Sequence, residues 1–275
     1  NNNAQTAEPA DTSAEETADE EQAEETDAAT TETADAEKST DTAIMVVSFG
    51  TSYNDSRDIT IGAIENAIAD AFPQYEVRRA FTSQIIIDKL KERDGLEIDN
   101  VQEALDRAAA DGIKNLIVQP THLMDGHEYT DLKDELEGYK DSFENISLGA
   151  PLLTSDEDFE AVIKAITDAT ASYDDGETAV VFMGHGTDAD SNEVYAKLQE
   201  KLTADGFEHY YIGTVEATPS LDDIKAALKE AGTYKKVVLE PLMIVAGDHA
   251  NNDMAGDDED SWKSQFEASG AFDKI

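Results

Sequence analysis

Short runs of β-branched residues alternate with amphipathic segments from residue 43 onward. This alternation is typical of parallel sheets covered by helices. Helical spacing of apolar side chains predicts core-facing helices over residues 59–71 and 158–173. Seven strands are predicted, at residues 43–48, 76–80, 115–119, 146–148, 179–183, 210–215 and 236–240. We therefore expect an α/β protein with parallel sheets.

Three segments of the first half recur in the second half in the same order, which indicates an internal repeat. They are AIMVVSFGTS and TAVVFMGHGTD, then VRRAFTSQ and IGTVEATPS, then IKNLIVQPTHLMDGHEY and YKKVVLEPLMIVAGDHA. The matched pairs include Phe49 with His185, Ala80 with Glu216, Pro120 with Pro241, and Glu128 with His249. The third segment lies closer to the second in the later copy, so an extra helical stretch is expected in the first copy.

The repeat predicts two similar lobes, residues 43–154 and residues 155–275, related by a pseudo-twofold axis. A ligand cleft is expected between them. Ligands of open parallel sheets bind beyond the carboxyl ends of the strands, so the loops that follow the strands should line this cleft.

Residues 1–42 consist largely of Ala, Glu, Asp and Thr and contain no Val, Leu, Ile, Met or aromatic side chain. Such a segment cannot bury enough apolar surface to offset the entropy of ordering, so we expect a disordered acidic tether. A chain that starts with Asn and carries an acidic spacer before a globular body is typical of an exported protein, anchored to a membrane or cell surface. The alternative is a cytoplasmic protein.

The formal net charge of -42 argues against nucleic acid and anionic lipid as partners, because both would be repelled. A metal ion is an easier partner. The chain has no cysteine, so carboxylate oxygens and imidazole nitrogens are the main candidate metal ligands. Neither a G-x-G-x-x-G motif nor a P-loop lysine is present, so no nucleotide is expected.

Three metal-competent residues follow strands of the second lobe: His185, Glu216 and His249. Two imidazoles and a carboxylate would form an open site for cobalt, nickel, iron or zinc. Each residue alone is more often a hydrogen-bonded structural group. Their shared position at the carboxyl ends of strands favours function.

The matching loop of the first lobe contains Glu128 and His127, which should face the same cleft. Glu128 could accept a proton or hold an arriving metal, and the alternative is a solvated loop carboxylate. His122 and His209 are expected to be structural or exposed.

Five segments together resemble the anaerobic-type sirohydrochlorin cobaltochelatases, a family of class II chelatases: VVSFGTSYNDSR, QPTHLMDGHEY, FMGHGT, EATPS and PLMIVAGDHANNDMAGDDEDSW. The resemblance runs from about residue 43 to the end. It implies two Rossmann-like lobes, a tetrapyrrole in the cleft, insertion of Co²⁺ with release of two protons, and no ATP, with Ni²⁺ or Fe²⁺ as the alternative metal. It also implies a metal site at His185, Glu216 and His249, with Glu128 as a further active-site carboxylate. Members of the family are also expected to have a further strand and helix after the position of residue 275.

The main alternative is an exported bilobal protein that binds metal, haem or another small ligand without turnover. A purely structural role is a more distant alternative, and homo-oligomers are compatible with either. If the protein is a chelatase, Phe49 should pack against the tetrapyrrole or the core.

Overall fold

The computed structural model describes residues 37–275. The predicted tether, residues 1–42, lies mainly outside the described residues. Its last residues belong to the folded body, because the amide of Ser39 donates to the carbonyl of Gln74 at 2.8 Å and Thr42 begins the first strand. The predicted end of the tether at residue 42 is therefore too late.

The first lobe contains a four-stranded parallel sheet in the order β2-β1-β3-β4. Its elements are β1 (Thr42–Ser48), α1 (Asn54–Ile59), α2 (Ile61–Ala71), β2 (Glu76–Phe81), α3 (Gln84–Asp94), α4 (Val101–Ala110), β3 (Asn115–Pro120), α5 (His127–Glu137) and β4 (Asn145–Leu148).

The second lobe contains a three-stranded parallel sheet in the order β6-β5-β7. Its elements are α6 (Asp156–Thr170), β5 (Thr178–Gly184), α7 (Glu193–Ala204), β6 (Tyr210–Thr214), α8 (Leu221–Ala231), β7 (Lys236–Pro241), a π-helix (His249–Met254) and α9 (Trp262–Ala268). All seven predicted strands are present, and the predicted α/β class with two parallel sheets is confirmed. The lobe boundary at residues 154 and 155 stays a prediction.

The predicted helices differ from the observed ones at their ends. The segment 59–71 is interrupted at Thr60, whose hydroxyl donates to the carbonyl of Ser56 and so supports a break between α1 and α2. Helix α6 begins earlier than predicted, because Ser155 and Asp158 form a reciprocal capping box. Both α3 and α4 lie between β2 and β3, whereas only α8 lies between β6 and β7, which confirms the extra helical stretch.

The central strands β1 and β5 are apolar and buried because helices cover both faces of each sheet. In β5, Val180 and Phe182 face α6 and α7, whereas Val181 and Met183 face α8 and α9. These two layers hold β5 rigidly. The end of β5, where the next loop begins, therefore has a defined position.

Equivalent backbone hydrogen bonds relate the two lobes. The amide of Ser83 donates to the carbonyl of Phe49, and the amide of Glu216 donates in the same way to His185. Glu216 is therefore the counterpart of Ser83, and the predicted match with Ala80 is wrong by three residues. The error arose because Glu216 lies in the loop beyond β6 rather than at the end of that strand.

The third segments match as predicted. The amide of Gly126 donates to Met124 two residues earlier, and Gly247 donates to Val245 in the same way. Glu128 and His249 accordingly occupy equivalent positions, two residues after these glycines. The pseudo-twofold relation thus extends to the loops beyond β3 and β7.

These loops also connect the lobes. Leu123 and Met124 follow β3 but pack against the hydrophobic core of the second lobe. Val245 follows β7 and packs against a core cluster of the first lobe that contains Phe81 and Ile87. Each loop therefore packs against the core of the other lobe, at the junction of the two sheets.

Lys274 pairs in parallel with Lys236, beside β7, at the position that β4 occupies beside β3. Within residues 37–275, no helix has both the length and the apolar composition needed to span a membrane.

Candidate metal centre

His185 directly follows β5 and is flanked by two glycines. Gly186 has φ of +84°, a left-handed conformation that other residues rarely adopt. The Nδ1 atom of His185 lies 2.8 Å from the carbonyl oxygen of Gly186. A carbonyl can only accept, so Nδ1 carries the proton and Nε2 keeps its lone pair for a metal.

Tyr195 supports this loop from the buried side. Its hydroxyl accepts a hydrogen bond from the amide of Gly186 at 3.2 Å. Burial raises the pKa of Tyr195, so the phenol stays protonated and uncharged. This hydrogen bond anchors the backbone that follows His185.

His249 begins the π-helix, a type of turn that is common at functional sites. Its Nδ1 lies 2.5 Å from the Oδ2 atom of Asp253, one helical turn later. The carboxylate accepts a hydrogen bond from the Nδ1–H group of His249. The Nε2 atom of the same ring is therefore free to bind a metal. A carboxylate behind a histidine ligand is a common arrangement that orients the ring and increases its basicity.

Glu216 completes the group. Its amide donates to the carbonyl of His185 at 2.9 Å, and its Oε2 lies 3.7 Å from Nε2 of His185. The rings of His185 and His249 meet edge to face, with centroids 4.5 Å apart.

One ligand atom from each of His185, Glu216 and His249 lies within 4.8 Å of the others. The structure therefore brings the three predicted metal ligands together. Three protein ligands leave coordination positions open, as a site that receives and releases a metal requires. His185 and Glu216 are about half-exposed, so the group is accessible from solvent.

Glu128 lies in the first turn of α5, outside this group of three. The preceding residue, His127, reaches the other lobe, where its Nε2 contacts Oδ1 of Asp188 at 2.6 Å. This hydrogen bond lowers the pKa of Asp188. Asp188 belongs to the loop that carries His185, so the start of α5 is linked to the metal-ligand loop.

The other two histidines differ in their surroundings. His209 bonds through Nδ1 to the hydroxyl of Tyr234, as expected for a structural residue. His122 is buried, and neither of its ring nitrogens has a hydrogen-bond partner among the described residues. Its Nε2 lies 3.4 Å from Oε2 of Glu128.

Asp253 and Tyr195 were not predicted as site residues. Asp253 lies four residues after His249, and this helical spacing was a signal that could have identified it. Tyr195 lies on the buried face of α7, where the sequence pattern predicts a core residue. Nothing in the sequence therefore indicated the contact of its hydroxyl with Gly186.

Comparison with known proteins identifies the family of this chain. The family model described as cobalt chelatase (CbiK) matches residues 42–274. The chain belongs to this family. The resemblance expected from the five sequence segments is confirmed.

Two relatives are similar to the chain over most of its length. The sirohydrochlorin cobaltochelatase of Salmonella typhimurium is 42% identical over 228 residues, which cover 83% of this chain and 85% of that protein. The sirohydrochlorin cobaltochelatase CbiKC of Nitratidesulfovibrio vulgaris is 35% identical over 233 residues, which cover 84% and 81% of the two chains.

Proposed function

We propose that the protein is a sirohydrochlorin cobaltochelatase, which inserts Co²⁺ into sirohydrochlorin with release of two protons and without a nucleotide. The observation that carries the proposal is the convergence of His185, Glu216 and His249, in a member of the cobalt chelatase (CbiK) family. Two neutral imidazoles and a carboxylate are suitable ligands for a borderline divalent ion.

The metal is a substrate, so the protein must hold it loosely and in a defined place. The Nε2 atoms of both histidines and one oxygen of Glu216 would replace water ligands as the ion arrives. The exposed side chains allow entry from solvent, and the large negative charge of the chain raises the local concentration of cations. Affinity alone would favour nickel or copper over cobalt, so selectivity must come from geometry or supply.

The tetrapyrrole must lose two pyrrole protons while the metal enters. The three metal ligands cannot keep these protons, because protonation would remove the lone pairs that bind the metal. We assign the acceptor role to Glu128, which the contact between His127 and Asp188 holds next to the loop of His185. Glu128 accepts the proton on an oxygen atom, and the electron pair stays on the pyrrole nitrogen.

The direct test is turnover. Sirohydrochlorin is mixed with the protein and with cobalt, nickel or ferrous iron, and the absorbance change of the macrocycle is followed. We expect many turnovers per protein molecule, with cobalt preferred. A spectral shift that stops at one equivalent of protein would contradict catalysis and support the bilobal binding protein instead.

Asp253 is expected to strengthen metal binding through His249. The Asp253→Asn variant loses the charge behind the imidazole, so its affinity for Co²⁺ should fall by about 10- to 100-fold. Titration calorimetry with Co²⁺ measures the effect. Asp257→Asn is the control, because Asp257 is almost fully exposed and its one ion pair among the described residues is with Lys263. Equal affinity in the Asp253 variant and the parent would refute the role.

Phe49 is expected to contact the macrocycle. It stands at the position of His185 in the first lobe but is 48% exposed, so it contributes little to the core. Phe49→Ala should raise KM for sirohydrochlorin by several-fold to about tenfold, since an aromatic stacking contact contributes roughly 0.5–1.5 kcal/mol. Initial rates at varied sirohydrochlorin concentrations measure this KM.

The control for Phe49 is Phe81→Ala, which removes a fully buried ring and should cost about 3–5 kcal/mol of folding free energy. Thermal melting should therefore separate the two variants. A destabilisation of the Phe49 variant as large as that of the Phe81 variant would place Phe49 in the core.

A further inference from the structure

His122 is a buried imidazole for which the fold offers no hydrogen bond. Its side chain is 7% exposed, and both ring nitrogens lack a hydrogen-bond partner among the described residues. Leaving such a polar group unpaired in the protein interior is unfavourable. A buried, unpaired polar group in a native fold calls for an explanation, and a catalytic role is one of the recognised ones.

Glu128 is the one acidic side chain within 4.0 Å of His122 among the described residues. The distance of 3.4 Å between Nε2 and Oε2 is close enough for contact, and a small rotation of the half-exposed Glu128 would let its protonated carboxyl donate a hydrogen bond to an Nε2 atom that carries no proton. His122 therefore lies behind Glu128, on the buried side, while the carboxylate reaches the surface.

The pseudo-twofold relation matches Glu128 with His249, whereas His122 stands opposite Met243. His249 occupies the position of Glu128 in the other lobe and is supported by the carboxylate of Asp253. In the second lobe a carboxylate supports an imidazole, and in the first lobe an imidazole supports a carboxylate. The first arrangement suits metal binding, whereas the second suits proton transfer.

We propose that His122 is a positioning and proton-relay residue, which takes a proton from Glu128 so that one carboxylate can accept both pyrrole protons in turn. This inference rests on the proposed function. A relay is needed because a carboxylate holds one proton at a time, whereas two pyrrole protons must leave. Glu216 cannot take the second proton, because it binds the metal.

The transfer balances in two steps. A pyrrole N–H bond breaks, its electron pair stays on nitrogen, and the proton bonds to an oxygen of Glu128. That O–H bond then breaks and the proton bonds to Nε2 of His122, which leaves an imidazolium next to a restored carboxylate. Glu128 then accepts the second proton, and both protons pass to water when the product leaves.

The first test separates turnover from binding. His122→Gln keeps a group that can hydrogen-bond to Glu128 but cannot carry a proton onward, so kcat should fall by about 100-fold or more. KM for sirohydrochlorin and the affinity for Co²⁺ should stay within about twofold of the parent. His209→Gln is the matched control and should keep the parent kcat, because His209 bonds to Tyr234 away from the site.

The second test uses no substrate. The protein has five histidines, so a spectrum of protein labelled with ¹⁵N at histidine is simple to assign. Glu128→Gln should shift the Nε2 resonance of His122 and leave that of His209 unchanged. This measurement applies even if the His122 variant does not fold.

The outcomes are distinguishable. A parent protein that does not insert cobalt would refute the proposed function, whatever the spectrum shows. An active parent with a His122→Gln variant of unchanged kcat would refute only the relay. An unmoved His122 resonance in the Glu128 variant would also refute it.

Discussion

Replacing His185 or His249 by alanine will reduce cobalt insertion more than any other single change in the chain. Each variant loses an Nε2 ligand from a group of only three, so the rate should fall by more than the roughly 10- to 100-fold typical of changes behind a metal ligand. Both side chains are accessible, so the fold should survive. The measurements are cobalt-dependent turnover and Co²⁺ calorimetry.

Two further measurements make this result specific. Binding of sirohydrochlorin, followed by its fluorescence, should remain, because neither substitution changes Phe49, the residue of the first lobe that we propose as a contact of the macrocycle. His209→Ala should insert cobalt like the parent, since His209 is a histidine of the same lobe with a structural hydrogen bond. If both ligand variants bound cobalt and turned over like the parent, the metal centre would lie elsewhere.

The repeat carried most of the correct predictions. Strand patterns and three matched segments were enough to predict two parallel sheets and to single out His185, Glu216 and His249, because residues that follow neighbouring parallel strands lie at the same edge of one sheet. The sequence also indicated the extra helix of the first lobe from a change in spacing alone.

The errors have physical causes. The match of Glu216 with Ala80 failed because the position where a strand ends depends on pairing, and Glu216 lies two residues beyond the last residue of β6. The structural role or exposure expected of His122 stays a prediction, and its burial without a hydrogen-bond partner among the described residues depends on tertiary packing. The export of the protein and its membrane anchoring stay predictions.

Substitution of Gly186 is expected to harm both the stability of the protein and the metal site. A Cβ atom there would lie 2.8 Å from the Cβ of Ala217 and 2.9 Å from its backbone nitrogen, at a φ of +84°. The left-handed conformation costs about 1–2 kcal/mol for an L-residue, and overpacking adds about 1–3 kcal/mol. Gly186→Ala should therefore destabilise the protein by roughly 2–5 kcal/mol.

Gly206 offers a matched control for this prediction. Its φ of +87° is nearly the same, but nothing lies within 4 Å of the Cβ position, so Gly206→Ala should cost only the conformational strain. Urea denaturation of both variants gives the difference, which isolates the contact with Ala217. The Gly186 variant should also bind Co²⁺ more weakly than the Gly206 variant, because the carbonyl of Gly186 orients the His185 ring. Equal losses of stability and equal cobalt affinities in the two variants would mean that close packing around Gly186 does not hold the His185 loop in place.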